Sequence, residues 1–268
     1  MHIPLFQVDA FTDQLFAGNP AAVVIADHNP DRDWMLQVAG EMNLSETAFV
    51  FPQGEQFGLR WFTPRTEVEL CGHGTLSAAH ILWETRMVPV DKVISFNTLS
   101  GWLGAQRMGN WITLDFPANA VTPGDLPEGV INAVGRKPVF SGTSGEKWLL
   151  QYANEAEILA LAPDFAALSA IPGRGLIVTS QSDRGDVDFV SRYFAPWVGI
   201  NEDPVTGSAH TILGPYWGEK LEKSELTARQ VSARGGLLRV RLAGERVSIS
   251  GQAVTVFKGE LLDQKLSQ

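Results

Sequence analysis

The chain has 268 residues, of which 44% are hydrophobic, and its mean hydropathy is −0.01, a composition typical of a globular protein with a sizeable core. The formal net charge of −9 lies in the first half, where residues 1–135 hold 6 Lys and Arg against 15 Asp and Glu, whereas residues 136–268 hold 15 of each. No basic cluster supplies the face that a nucleic-acid partner needs, and no apolar run approaches the ~20 residues of a membrane span.

Two further features of the first half bear on the cellular location. The N-terminal segment lacks a basic region followed by an apolar stretch, which predicts that no secretory signal is present. Cys71 is the single cysteine, so an internal disulfide is excluded and a reducing compartment is favoured. We therefore expect a cytoplasmic protein with neither a membrane nor a nucleic-acid partner.

The first stretch with candidate chemistry is residues 43–51, "NLSETAFVF". Glu46 precedes an apolar run typical of a buried strand, so its carboxylate is expected to be partly desolvated, which raises its pKa and makes it a better base near neutral pH. The alternative is that Ser45 or Thr47 caps local backbone while Glu46 is solvated. These residues alone favour the alternative.

The second stretch, residues 69–80, reads "ELCGHGTLSAAH" and joins a thiol, glycines and an imidazole to the start of an apolar helix. A metal site is a weak interpretation, because Cys71 and His73 lack further ligands at zinc-like spacing. A Cys-His nucleophile pair needs hydrogen-bonding reach, which turn residues two apart rarely have. An anion-binding turn of backbone amides and a purely structural tight turn fit this stretch equally well.

An internal repeat favours the anion-binding turn. "FTPRTEVELCGHGTLSAAHIL" from Phe62 resembles "FAPWVGINEDPVTGSAHTIL" from Phe194. Three pairs of glycines share an offset of 135 residues: Gly72 with Gly207, Gly101 with Gly236, and Gly109 with Gly244. The chain is therefore predicted to contain two copies of one α+β unit, joined by the Gly- and Pro-rich residues 122–138.

The second copy repeats both the strands and the glycine-containing turn of the first copy. Short β-branched and aromatic runs, "KWLLQY", "GLIVTS" and "DFVSRYF", precede "EDPVTGSAH" (202–210), and alternating residues follow. In a pseudo-symmetric pair, two helix N-termini can converge on one pocket suited to a carboxylate. Asp203 lies just before the second turn, although an Asp-Pro step alone is more often the start of a turn.

Taken together, these motifs resemble the PhzF-like isomerase family, named for an enzyme of phenazine biosynthesis. The resemblance runs from end to end and rests on five motifs in order, which are "VDAFTDQLFAGNPAAVV" (8–24), "SETAF" (45–49), "LCGHGT" (70–75), "EDPVTGSAH" (202–210) and "GQAVTVFKGEL" (251–261).

The resemblance implies a fold like that of diaminopimelate epimerase: two pseudo-symmetric α+β domains, each a curved mixed or antiparallel sheet wrapped around a central helix, with the active site in the interdomain cleft. We expect an N-terminal half over residues 1–125 and a C-terminal half over residues 126–255. Residues 256–268 are expected to complete the first half. The resemblance also suggests a homodimer.

The resemblance further implies isomerisation by proton transfer, without a cofactor or a metal, on a small anionic carboxylate substrate. By position, the catalytic residues are Glu46 as the general acid and base, assisted by His73 and Asp203. The positions that match the family's substrate-binding turns are Gly72, Gly74, Thr75, Gly207 and Ser208.

One departure from the related epimerases limits the mechanism. Those enzymes use two cysteines, one in each half, whereas here Cys71 is matched by Thr206. Threonine is far too weak an acid to replace a thiol, so a two-thiol racemase is excluded on this alignment. Two rival functions remain: a non-catalytic ligand- or protein-binding member of the fold, and an amino-acid epimerase that pairs Glu46 with another base.

Overall fold

The computed structural model describes residues 2–127 and 129–262. The chain forms two compact units: the first runs up to Asp115 and resumes at Ser250, and the second is Phe116–Ile249. The expected domain limits, 1–125, 126–255 and 256–268, remain predictions, and residues 263–268 of the last range lie outside the described residues. Within the described ranges, every helix is too short or too polar to cross a membrane.

The first unit is a mixed sheet with two helices, which are α1 (Arg32–Met42) and α2 (Gly72–Glu84). Its strands are β1 (His2–Ala10), β2 (Asn19–Ile25), β3 (Glu46–Gln53), β4 (Gln56–Phe62), β5 (Glu67–Val68), β6 (Ile94–Thr98), β7 (Gly101–Met108), β8 (Trp111–Pro117) and, near the end of the chain, β18 (Ala253–Leu262).

The second unit carries several short helices and one long one. The helices are α3 (Val130–Val134), α4 (Glu155–Leu159), α5 (Phe165–Ser169), the 3-10 turn Pro196–Val198 and α6 (Gly207–Leu221). The strands are β9 (Thr122–Pro123), β10 (Phe140–Ser144), β11 (Lys147–Gln151), β12 (Gly175–Gln181), β13 (Phe189–Ala195), β14 (Ile200–Asp203), β15 (Glu225–Gln230), β16 (Gly236–Ala243) and β17 (Arg246–Gly251).

The two units repeat one pattern of strand pairing. In the first, the pairs β1–β2, β3–β4 and β6–β7 are antiparallel, while β2–β3 and β4–β6 are parallel. In the second, β10–β11, β12–β13 and β15–β16 are antiparallel, while β11–β12 and β13–β15 are parallel. The predicted α+β class and the predicted repetition of one α+β unit within the chain are therefore confirmed.

The glycine pairs of the sequence repeat fall on equivalent elements. Gly72 and Gly207 are the first residues of α2 and α6. Gly109 and Gly244 lie in the hairpin turns after β7 and β16, and each has a φ of 60°. This left-handed conformation is open to glycine at little cost, which explains why both copies keep glycine there.

The long helix of each unit is buried, as its apolar sequence predicts. Helix α2 packs on β1, β2 and β3, and helix α6 packs on β15 and β16. At Gly214 of α6, an added Cβ would lie 2.7 Å from Val240 Cγ1, so this helix approaches its sheet more closely than a larger residue permits. Both helices are thus held firmly against strands, and their N-termini have fixed positions within their own units.

Candidate active site

Three chain segments of the first unit bring polar groups together. Glu46 opens β3 and pairs with Ala21 of the parallel strand β2, so Asn19, the first residue of β2, lies nearby. His73 is in the first turn of α2, the helix that packs on these same strands. Because the beginnings of parallel strands lie at the same edge of a sheet, the polar residues at these strand starts meet the start of the helix.

The start of α2 is fixed by its own side chains. Cys71 is the N-cap residue, and its Sγ accepts a hydrogen bond from the backbone N–H of Gly74 at 3.3 Å. Thr75 donates both its backbone N–H and its hydroxyl to the Cys71 carbonyl, at 3.0 and 2.6 Å. A Cβ on Gly74 would lie 2.8 Å from the Trp61 ring. Gly74 and Thr75 therefore stabilise the backbone turn that positions the His73 side chain.

The His73 ring is the centre of the cluster. Its Nε2 lies 3.1 Å from Glu46 Oε2 and 3.2 Å from Ser45 Oγ. Its Nδ1 lies 3.4 Å from Asn19 Nδ2 and 3.6 Å from Cys71 Sγ. The side chains of His73 and Glu46 are only 7% and 17% exposed, so these contacts are shielded from water. The cluster brings together two residues predicted as catalytic, Glu46 and His73.

The contact between Glu46 and His73 is an ion pair more than a directed hydrogen bond. The two atoms are 3.1 Å apart, yet within the described residues Glu46 Oε2 has no hydrogen-bond partner of acceptable geometry. Its attraction to the ring is therefore mainly electrostatic, and this oxygen keeps a lone pair that no donor of the described residues occupies.

The charges in the cluster follow from opposing effects. Burial raises the pKa of Glu46, but the positive charge of His73 and the polar contacts with His73 and Ser45 outweigh burial and hold the pKa below the ordinary value for glutamate. Burial lowers the pKa of His73, but its contacts with Cys71 and Glu46, of which Glu46 is the ionised one near neutral pH, outweigh burial and hold the pKa well above the ordinary value for histidine. The expected upward shift of the Glu46 pKa was therefore wrong, because its partner is a cation.

Cys71 contributes little charge to this balance. Burial raises the pKa of its thiol above 9.0, so the thiol is neutral near pH 7 and Glu46 is the anion that keeps His73 protonated. The contact at 3.6 Å also shows that the sequence argument against Cys-His contact was wrong. The backbone is extended at Cys71, with a φ of −143°, and turns into the helix at the next residue. This change of direction brings the side chains of Cys71 and His73 together, although they are only two residues apart in the chain.

Asp203 lies in a second cluster, in the second unit. The Thr206 hydroxyl donates a short hydrogen bond to the Asp203 carboxylate. Gln230 is fully buried and binds the same turn through its side chain. Its amide nitrogen donates to the Asp203 carbonyl at 2.7 Å, and its oxygen accepts from the Thr206 N–H at 2.9 Å. These bonds position the Asp203 carboxylate just before α6.

A cation lies at the start of α6. Lys147 Nζ donates to Ser208 Oγ at 2.8 Å, beside Gly207, the first residue of the helix. Burial lowers the pKa of Lys147 to about 8, with a further lowering from Arg174 and an opposing effect of Asp203. The ammonium group and the positive end of the helix together favour an anion at Ser208.

The structure thus groups the predicted residues by unit: Glu46 with His73, and Asp203 with Gly207 and Ser208. Sequence reasoning missed three residues that complete the clusters, which are Asn19, Lys147 and Gln230. Asn19 and Lys147 are each the first residue of a strand whose sequence was recognisable. A polar residue at the start of such a strand was the signal that could have identified them. Gln230 ends β15 and has no local signal.

Comparison with known proteins agrees with this architecture. The profile of the PhzC-PhzF family, described as phenazine biosynthesis-like protein, matches residues 8–259. A protein of Halalkalibacterium halodurans named as an uncharacterized isomerase is 50% identical over 263 residues, covering 98% of this chain and 99% of that protein. Phenazine biosynthesis-like domain-containing protein 1 of Mus musculus is 42% identical over 287 residues, covering 97% and 99%.

Solved structures give the same result. The crystal structure of a PhzF-family phenazine biosynthesis protein from Enterococcus faecalis is 40% identical, with a TM-score of 0.93 over 98% of this chain and 100% of that one. A hydroxyproline epimerase from Agrobacterium vitis shares the fold at 12% identity, with a TM-score of 0.64 over 98% and 94%. The chain belongs to the PhzC-PhzF family of phenazine biosynthesis-like proteins and is an enzyme of the isomerase class.

Proposed function

We propose that the enzyme isomerises a small carboxylate by a one-base proton shuttle, in which Glu46 removes a proton next to an unsaturated or carbonyl group and returns it elsewhere on the same face. The observation that carries the proposal is the ion pair between Glu46 and the buried His73. The pair keeps Glu46 ionised at neutral pH, as a base must be.

The lowered pKa of Glu46 has a consequence for how the proton moves. A weakly basic carboxylate removes a carbon-bound proton efficiently only when the negative charge that develops on the substrate is stabilised. His73, held as an imidazolium, supplies a positive charge at 3.1 Å from the base. It stabilises that developing charge, and Ser45 and Asn19 keep its ring in place.

We assign the binding of the substrate carboxylate to the turns predicted from the sequence, at Gly72 and at Gly207 and Ser208. The backbone N–H groups in the first turn of a helix have no partner within the helix, and they attract anions. Lys147 adds a positive charge beside Ser208. Asp203 is assigned a role as an assisting acid or base, which rests on the resemblance and on its fixed position beside Thr206.

The test is solvent exchange. The protein is incubated in deuterium oxide with a panel of cyclic unsaturated carboxylates and amino acids, and products are followed by NMR. We expect deuterium to enter one substrate together with movement of a double bond. Exchange at a stereocentre with inversion would favour the rival epimerase, and binding without exchange by any substrate of the panel would favour a non-catalytic binding protein.

The epimerase alternative rests on the hydroxyproline epimerase that shares the fold, whose structure contains trans-4-hydroxy-L-proline. At 12% identity that likeness extends to the fold only. Inversion requires an acid and a base on opposite faces of the carbon. Because Thr206 stands where the alignment expects a second thiol, we favour redelivery of the proton on one face.

Cys71→Ser is expected to retain most of the exchange activity, within about tenfold of wild type, since general acid–base catalysis by Glu46 is left intact. Serine can replace the sulfur as the acceptor of the Gly74 N–H, because serine is a preferred N-cap residue. The measurement is the deuterium-exchange rate of the purified variant. A loss of ~10²-fold or more would instead make Cys71 a catalytic group.

A cytoplasmic location and a homodimer, both expected from the sequence, remain predictions. Size-exclusion chromatography with light scattering measures the second directly.

A further inference from the structure

Glu46, Cys71 and His73 form a group of three potential metal ligands. One ligand atom from each, a carboxylate oxygen, Sγ and a ring nitrogen, lies within 4.8 Å of both others. Sequence spacing could not reveal this group, because the third ligand comes from β3, 25 residues before Cys71 in the chain. Thiolate, imidazole and carboxylate are the ligands that Zn²⁺ takes in proteins.

The distances match a tetrahedral ion. Bonds of about 2.3 Å to sulfur and about 2.0 Å to nitrogen and oxygen place S and N about 3.5 Å apart and N and O about 3.3 Å apart. Here Cys71 Sγ is 3.9 Å from His73 Nε2, and Nε2 is 3.1 Å from Glu46 Oε2. The third pair, Cys71 Sγ and a Glu46 oxygen, lies within 4.8 Å, against about 3.5 Å in a tetrahedral site. Adjustments of up to about an ångström would therefore bring these atoms into the coordination sphere of one ion.

Two further features favour a cation. Among the described residues Glu46 Oε2 is buried without a hydrogen-bond partner, so an oxygen is available as a ligand at no cost in hydrogen bonds. Asn19 contacts the other ring nitrogen, Nδ1, at 3.4 Å. Its amide can turn its oxygen toward an Nδ1–H, which is how a partner outside the coordination sphere fixes a metal-bound histidine.

We infer that Glu46, Cys71 and His73 bind Zn²⁺ and that the bound ion inhibits the enzyme. Three protein ligands leave the fourth position of the ion to water. On binding, the thiol proton of Cys71 and a proton from His73 pass to solvent, because thiolate and unprotonated imidazole are the ligating forms. A carboxylate bonded to Zn²⁺ cannot accept a proton from a substrate, and this inhibitory consequence rests on the proposed function.

The binding test needs no substrate. The metal-free full chain is titrated with Zn²⁺ against a chromophoric chelator. We expect one ion per chain with micromolar or tighter affinity, weakened roughly tenfold or more in Cys71→Ser and in Glu46→Gln, since even partners outside the coordination sphere contribute 10–100-fold to metal affinity. Co²⁺ should give a thiolate charge-transfer band in wild type that is absent in Cys71→Ser.

Glu84→Gln is the matched control. It removes the carboxylate that lies 2.9 Å from another histidine of the first unit, His80, and it should leave both the stoichiometry and the affinity unchanged. If Cys71→Ser does not fold, Glu46→Gln still provides the comparison. Failure of wild type to bind Zn²⁺ at micromolar concentration, or equal affinity in wild type and both site variants, would overturn the inference.

The inhibition test is separate and uses the exchange assay. Zn²⁺ at one equivalent should abolish exchange by wild type and leave exchange by Cys71→Ser largely intact. Binding with the expected variant effects supports the metal site even if no carboxylate of the panel exchanges, a result that would count against the proposed function alone. Exchange by wild type that persists with Zn²⁺ bound would overturn the inhibitory role.

Discussion

Glu46→Gln is expected to lower the rate of substrate proton exchange by ~10²-fold or more, since general acid–base catalysis contributes 10²–10⁴-fold. Glutamine keeps the length of the side chain and one oxygen near His73, but it cannot accept a proton. Substrate affinity should change little, because the variant leaves the carboxylate-binding turns intact. The measurements are the exchange rate in deuterium oxide and the dissociation constant of the same substrate by calorimetry.

The Glu84→Gln variant is again the control, because its carboxylate also lies beside a histidine but is 44% exposed and belongs to no proposed catalytic group. Its exchange rate should equal that of wild type. A decrease of less than tenfold in Glu46→Gln with the correct substrate would remove Glu46 from the role of base. A loss of binding and exchange together would make its role one of substrate binding.

The sequence predicted the repeated fold well, because the relevant signals are local. Glycine at a hairpin position with positive φ, as at Gly109 and Gly244, recurs at a fixed offset that needs no knowledge of the tertiary structure. The helices that begin at Gly72 and Gly207 are apolar on nearly every face, so burial could be inferred directly.

The electrostatics of the site could not be predicted in the same way. A strand-end carboxylate in apolar surroundings indicates desolvation, and from that alone the pKa of Glu46 was expected to rise. The opposite shift depends on His73, which is 27 residues away in the chain and 3.1 Å away in space. A fully buried residue such as Gln230 is likewise positioned by tertiary contacts, and the chain around it carries no motif.

His73→Gln is expected to destabilise the protein by about 3 kcal/mol near pH 6, because removing one partner of a buried ion pair leaves the other charge uncompensated. The direction of the pKa shift of Glu46 should also reverse. Without the cation, burial is the dominant influence, and the pKa of Glu46 moves from below its ordinary value to above it. Glu46→Gln, by contrast, leaves a histidine that can become neutral, and it should cost less stability.

The directions of the two pKa shifts determine the pH at which the loss of stability in His73→Gln is largest. In wild type the folded pKa of Glu46 is lowered, so its contribution to stability is complete above about pH 4.3 and is lost as the pH falls through the folded pKa. The folded pKa of His73 is raised, so its contribution is complete below about pH 6.5 and is lost as the pH rises through the folded pKa. The advantage of wild type should therefore be widest between about pH 5 and pH 6.5.

Urea unfolding of both proteins from pH 4 to pH 9 measures the difference. In His73→Gln the raised pKa of Glu46 should make stability fall as the pH rises above about 4.3, whereas wild type keeps the contribution of the pair from about pH 4.3 to about pH 6.5. His80→Gln is the matched control, because its partner Glu84 is 44% exposed and such pairs contribute about 1 kcal/mol or less. Parallel curves for wild type and His73→Gln would show that the pair carries no net charge coupling, and the ion pair would then not be what keeps Glu46 ionised.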